Sequence, residues 1–183
     1  MKPTLVIANK TYSSWSFRPW ILMRHFGIAF DEAVIPMAQY VAELHPRVPI
    51  WPRPRAARAQ ARSLAAEMHS GFMGLRGLLP MNMRRKVKRR ELTPEASADV
   101  SRLEQAFEQA RGEFGQAGAF LFGDFSAADA MFAPVVNRLH VYDVVVTPAT
   151  RAYVDTMMAL PAWQNWSAQA QAEPWIIDKY EIA

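Results

Sequence analysis

The sequence predicts an α+β chain of two domains, a strand–helix–strand unit followed by an all-helical half. Three observations carry this. A short apolar, β-rich run opens the chain and another closes near Ile35, with one helical stretch between them. Pro46, Pro49, Pro52 and Pro54 then form a stiff linker. Beyond it, every long segment repeats its apolar residues at three- or four-residue steps. With 183 residues, 51% of them hydrophobic, the chain is long enough for one full domain or two small ones and apolar enough for a real core.

The elements follow in order. Thr4–Ala8 reads as a buried strand. The polar stretch 9–16 feeds a helix over Phe17–Phe26, with Gly27 as its C-terminal stop. Ala29–Ile35 reads as a second strand ended by Pro36, and a strand–helix–strand order implies a parallel pair joined by a right-handed crossover. Ala38–Leu44 resembles the tail of a helix. After the prolines, Ala57, Ala61, Leu64, Met68, Phe72, Leu75 and Leu79 predict one long helix ended by Pro80. Gly71, Gly74 and Gly77 within it suggest close packing against a neighbour, not a phosphate cradle. Thr93 and Pro94 read as the N-cap and first position of a helix whose stripe is Val100, Leu103, Phe107, Ala110 and Phe114. Ser126 and Asp129 have capping-box spacing, with Phe125 placed to staple onto Ala130. Helices over Thr150–Leu160 and Pro161–Ala172 complete the pattern. The expected domains are 1–46 and 54–183.

Charge is unevenly distributed. Between Arg47 and Arg90, twelve Lys/Arg face a single acid, Glu67, whereas the remainder carries 9 bases and 16 acids. A basic face of this kind attracts anions. The run Arg84–Arg90 reads as a solvated loop able to steer anionic substrates, without the aromatic interleaving of a nucleic-acid module.

Several chemistries are excluded. The chain has no cysteine, so disulfides, thiolate metal sites and Cys nucleophiles are absent. The four histidines lie far apart with no metal-ligand spacing, so no metal is expected. No GxSxG, GxGxxG or GxxxxGK[ST] motif occurs. No apolar run approaches the roughly 20 residues of a membrane helix, and the first residues are too short a greasy stretch for a signal peptide. A soluble cytoplasmic protein is the default expectation.

The stretch Tyr12-Ser13-Ser14-Trp15-Ser16-Phe17-Arg18 remains. It joins the first strand to the first helix, where free N–H groups and the helix dipole favour an anion. Hydroxyls donating to sulfur there would stabilise a thiolate, which must arrive on a ligand because the chain has no thiol. The alternative is that these serines only cap the helix.

The residues Ser13–Glu32, SSWSFRPWILMRHFGIAFDE, resemble the SSCSWRVRIAL-type segment of zeta-class glutathione transferases. FGDFSAADAMFAPVVNR, Phe122–Arg138, is similar to the capping-box segment of that superfamily's C-terminal domain. LPAWQNW and EPW fit its last helices. The resemblance, to serine-type (zeta/theta-like, bacterial) members, implies a thioredoxin-like N-terminal domain, an all-α C-terminal domain, glutathione as cosubstrate and a homodimer. It implies a transferase that attacks a small electrophile with the glutathione thiolate, as in detoxification. Its rivals are a maleylpyruvate- or maleylacetoacetate-type isomerase, with Arg18, Arg76 or Arg138 holding carboxylates, and a non-catalytic binding module.

Carried over by position, the zeta motif's first serine falls on Ser13, while counting back from Arg18 in the theta/delta pattern selects Ser14. Ser14 is taken as the activating residue with Ser13 beside it, and Tyr12 as a lesser candidate. Ser13, Ser14, Trp15, Ser16, Phe17 and Arg18 are then the glutathione contacts, with Trp15 standing where the motif has cysteine. Met68, His69, Phe72 and Arg76 are the implied lining of the second-substrate pocket. One departure stands out: Met37 is followed at once by Ala38. The implied domain needs about 35–40 further residues there, holding its third and fourth strands, since two strands alone are marginal.

Overall fold

The computed structural model describes residues 10–11, 13–30, 42–43, 45–116 and 118–182. The predicted strand Thr4–Ala8, most of Ala29–Ile35 and the Met37–Ala38 junction lie outside the described residues, as does Tyr12. Ile28 and Phe30 are buried and non-helical, and of 38–44 only Ala42 and Glu43 are described, both helical.

Seven α-helices are present among the described residues: α1 Ser14–His25, α2 Arg55–Ser70, α3 Met73–Leu78, α4 Pro94–Phe114, α5 Ala127–Val141, α6 Pro148–Met158 and α7 Pro161–Ala172. A single 3-10 turn, Asp178–Tyr180, follows. The helix α5 is the hub. It is buried along nearly its whole length and packs against α1, α2 and α6, as a helix apolar on all faces must. Its N-terminus is held by local and distant groups together. The N–H and hydroxyl of Ser126 donate to the Asp129 carboxylate at 2.8 and 2.9 Å. The Ala127 N–H donates to the carbonyl of Ile50 at 2.8 Å, so the proline linker closes the start of α5. Phe125, just before the cap, is buried and stacks on His25 at 4.1 Å.

α1 starts three residues earlier than periodicity suggested, because Ser13 caps it. It stops where Gly27 takes a left-handed φ of 64°, a conformation a side chain would resist. α4 opens as expected, with Thr93 Oγ1 accepting from the Ala96 N–H at 3.3 Å and Pro94 at the first position. Val100, Leu103, Phe107 and Ala110 are buried along its stripe and Phe114 is partly so.

The single helix expected over Ala57–Leu79 is two. The chain leaves α2 at Gly71, and Phe72 adopts φ 58° before α3 begins. The apolar period crosses this break, which is why sequence could not locate it. The break turns Phe72 into the core, edge-on to Phe132 at 6.3 Å. Arg76 Nη1 then donates to the carbonyls of His69 and Gly71 at 3.1 and 3.2 Å, satisfying the open end of α2. Two of the three glycines make close approaches: a Cβ at Gly74 would lie 2.8 Å from the Glu95 carbonyl carbon, and one at Gly71 would lie 2.8 Å from the Glu67 carbonyl oxygen. A Cβ at Gly77 would meet nothing within 4 Å among the described residues.

The basic run is less solvated than expected. Lys86 to Arg89 are exposed, but Arg84 and Arg85 are half-buried. Arg84 Nη1 donates to the Glu173 carbonyl at 2.6 Å and its other terminal nitrogen donates to the Trp175 carbonyl. Arg85 donates to the carbonyl of Ile182 and lies over the Tyr142 ring. The two arginines clamp the C-terminal segment onto the bundle.

Candidate active site

The start of α1 opens into a cavity of about 480 Å³. Ser13, Ser14 and Trp15 form one wall, α3 supplies Arg76, α5 supplies Arg138, and the C-terminal segment closes the far side with Ile177 and Tyr180.

The two serines do different jobs. Ser13 is the N-cap: its Oγ accepts from the Ser16 N–H at 3.2 Å and sits 2.7 Å from the Ser16 Oγ. Ser14, one residue on, lines the cavity and its hydroxyl has no hydrogen-bond partner among the described residues. Trp15 is half exposed, meets His69 edge-on at 5.0 Å and lies under the Arg18 guanidinium at 4.8 Å. Ser16 and Phe17 are buried, Phe17 against Trp166 and Trp163. Of the six implied glutathione contacts, the structure brings Ser13, Ser14 and Trp15 to the cavity, with Arg18 behind Trp15.

The implied second-substrate lining divides similarly. Arg76 lines the cavity. Met68 and Phe72 are buried in the core, because the stripe that suggested a pocket faces α5. His69 is exposed against Trp15.

The electrostatics are one-sided. Arg138 is almost fully buried in the last turn of α5; its Nε donates to the Leu79 carbonyl at 2.7 Å and Nη1 to the Pro134 carbonyl at 3.0 Å. Burial, then repulsion from Arg18 and Arg76, pulls its pKa down to about 9. Arg18 Nε donates to the Met131 carbonyl at 3.0 Å, while Nη1 and Nη2 are buried with no hydrogen-bond partner among the described residues. Burial and the neighbouring Arg76 lower its pKa to about 10. Both Arg18 and Arg138 remain cationic at neutral pH. Among the described residues no Asp or Glu lines the cavity, so an arriving anion meets hydroxyls, guanidinium groups and a helix N-terminus.

Sequence reasoning did not place Met73, Gly77, Pro80, Met81, Ile177 or Tyr180 here. The first four lie on or just after α3, whose existence the unbroken period hid. Ile177 and Tyr180 come from an aperiodic tail. Arg138, a lone cation in the apolar run AMFAPVVNRLH, was the one readable signal.

Residues 91–169 match the family model described as the C-terminal domain of glutathione S-transferase. The fold is that of the glutathione transferases. A glutathione transferase homologue from Burkholderia, crystallised with bound glutathione, superposes with a TM-score of 0.68 at 22% identity, over 94% of this chain and 100% of that one. A theta-class glutathione S-transferase from Xanthomonas axonopodis pv. citri, also with glutathione bound, gives 0.60 at 15% identity over 90% and 96%. A maleylpyruvate isomerase from Pseudomonas aeruginosa gives 0.57 at 16% identity over 96% and 100%. No curated protein matches the chain. In this transferase fold, residues 91–169 cover most of the helical half. Among the described residues no helix is long and apolar enough to cross a membrane, and no His, Asp and Glu cluster is arranged to hold a metal.

Proposed function

We propose that the chain is a serine-type glutathione transferase in which Ser14 donates to the sulfur of bound glutathione. One observation carries this reading: both serines line the cavity, but Ser13 is engaged as the cap of α1, whereas the Ser14 hydroxyl has no hydrogen-bond partner among the described residues. A hydroxyl donor, the first turn of α1 and the nearby guanidinium groups all favour thiolate over thiol. The thiolate then attacks an electrophilic carbon: a C–S bond forms and the leaving group departs with its electron pair. Holding both reactants in one cavity removes much of the entropic barrier. An N-terminal thioredoxin-like domain up to residue 46 and assembly with a second copy of the chain belong to the same reading.

The test is glutathione binding followed by turnover of an aryl halide. S14A is expected to raise the pKa of the bound thiol towards its free value of about 8.5, while S13A weakens the helix start and acts on the thiol indirectly. Equal, unchanged thiol acidity in both variants refutes the assignment to Ser14. Capture on immobilised glutathione by the full chain is the prior measurement, since the residues expected after Met37 would normally contribute to that affinity.

A second reading is supported by the acid-free cluster of Arg18, Arg76 and Arg138: a glutathione-dependent isomerase of a maleyl-type dicarboxylate. There the thiolate adds to the double bond, rotation follows, and glutathione is expelled unchanged. Arginines suit carboxylates through paired N–H donation. Turnover of maleylpyruvate with no aryl halide activity favours it; the reverse result excludes it.

A further inference from the structure

We infer that Glu173 is a positioning residue for the serine turn, an inference that rests on the proposed role of that turn in thiol activation. Lys10 and Thr11 lead into Ser13 and Ser14, and both of their backbone N–H groups converge on the Glu173 carboxylate. Lys10 donates at 2.6 Å to Oε1 and 2.8 Å to Oε2, and Thr11 at 3.0 Å to Oε2. The Thr11 hydroxyl lies 3.1 Å from the same Oε2 and 3.0 Å from the Ala170 carbonyl. Successive amides aimed at one carboxylate form a tight anion cradle, here filled by a side chain 162 residues away in the chain.

The carbonyls of Lys10 and Thr11 are tied to the same half of the molecule. Trp166 Nε1 donates to the Lys10 carbonyl and the Met83 N–H to the Thr11 carbonyl, each at 3.0 Å. Glu173 differs from these because it stands at a junction. Its side chain fixes the wall that carries Ser14. Its carbonyl, held by Arg84 at 2.6 Å, anchors the segment that delivers Ile177 and Tyr180 to the opposite wall. Both walls are therefore tied to this one residue, and its carboxylate helps to hold the serine turn where the hydroxyl meets sulfur.

The full chain carrying E173Q or E173D tests this. A carboxamide keeps the volume but offers one acceptor and turns an NH₂ towards the amides. With E173Q, amide exchange at Lys10, Thr11 and Ser16 is expected to quicken about tenfold, the loss of one charge-assisted hydrogen bond. The pKa of the bound glutathione thiol, followed by thiolate ultraviolet absorbance, rises, and kcat/KM falls about tenfold. E173D recovers part of each effect. Unchanged exchange overturns the inference. Faster exchange with unaltered thiol acidity and kcat also overturns it, because Glu173 would then be a structural tie only. A wild-type chain that fails to bind glutathione overturns the transferase reading instead, and the exchange measurement, which needs no ligand, still decides whether Glu173 orders the turn.

Discussion

Two buried charges in this molecule have opposite surroundings. Asp129, fully buried at the start of α5, accepts from the Leu121 N–H, the Ser126 N–H and hydroxyl, and the Tyr153 hydroxyl, at 2.8–3.1 Å. Arg18, equally hidden, has one hydrogen bond through Nε, and neither terminal nitrogen has a hydrogen-bond partner among the described residues. A buried charge that is fully matched holds a fold together; one left unmatched beside a cavity weakens the fold and is free to meet a ligand. The first cluster is architecture. The second is where binding is expected.

The sharpest way to break this contrast is D129A. It leaves two amides and two hydroxyls buried without an acceptor, and about 3–5 kcal/mol of stability should go, read as a lower urea midpoint. A loss under about 1 kcal/mol would show that Asp129 is not a keystone.

The next effect is in pH. Burial raises the Asp129 carboxyl to about 6 from 3.8, against the pull of its four hydrogen bonds. The folded chain therefore keeps a proton that the unfolded chain releases between pH 4 and 6, so this group's contribution to stability falls as pH rises through that window. The difference between wild type and D129N should change by up to about 3 kcal/mol across it. A flat difference would contradict the raised pKa.

On the other side of the contrast, R18M should leave stability within about 1 kcal/mol of wild type, since a partly unmatched buried cation contributes little. The same change should weaken a carboxylate ligand of the cavity about tenfold, measured by calorimetry. Loss of several kcal/mol without loss of binding would reverse the assignment of the two clusters.

The smallest effect separates the serines. S13A should cost about 1 kcal/mol through the lost cap, while S14A, whose hydroxyl makes no hydrogen bond among the described residues, should leave the thermal midpoint unchanged.

Much of the helical half was legible because its signals are local. Thr93 with Pro94, Ser126 with Asp129, Gly27 after α1 and Pro161 at the head of α7 each act within a turn of their own position, and each marks the boundary it was expected to mark. The α2–α3 break was not legible: Phe72 keeps the apolar period while its backbone turns left-handed, so the pattern continues where the helix does not. Met68 and Phe72 misled for a related reason. A stripe tells that a face is covered, not whether another helix or a ligand covers it.

The candidate site shows the same division. The sequence by itself determined that hydroxyls crowd the start of the first helix, that no thiol or metal-ligand motif competes with them, and that the middle of the chain is strongly basic. Only the tertiary structure decided that Ser13 caps α1, that both serines line one cavity, that Arg138 and Arg76 meet there, and that Arg84 clamps the tail. Helix caps close over three residues, so composition and spacing suffice to find them. The cavity closes over contacts such as Thr11 to Glu173, 162 residues apart, and no local preference encodes such a pairing until the core between them has formed.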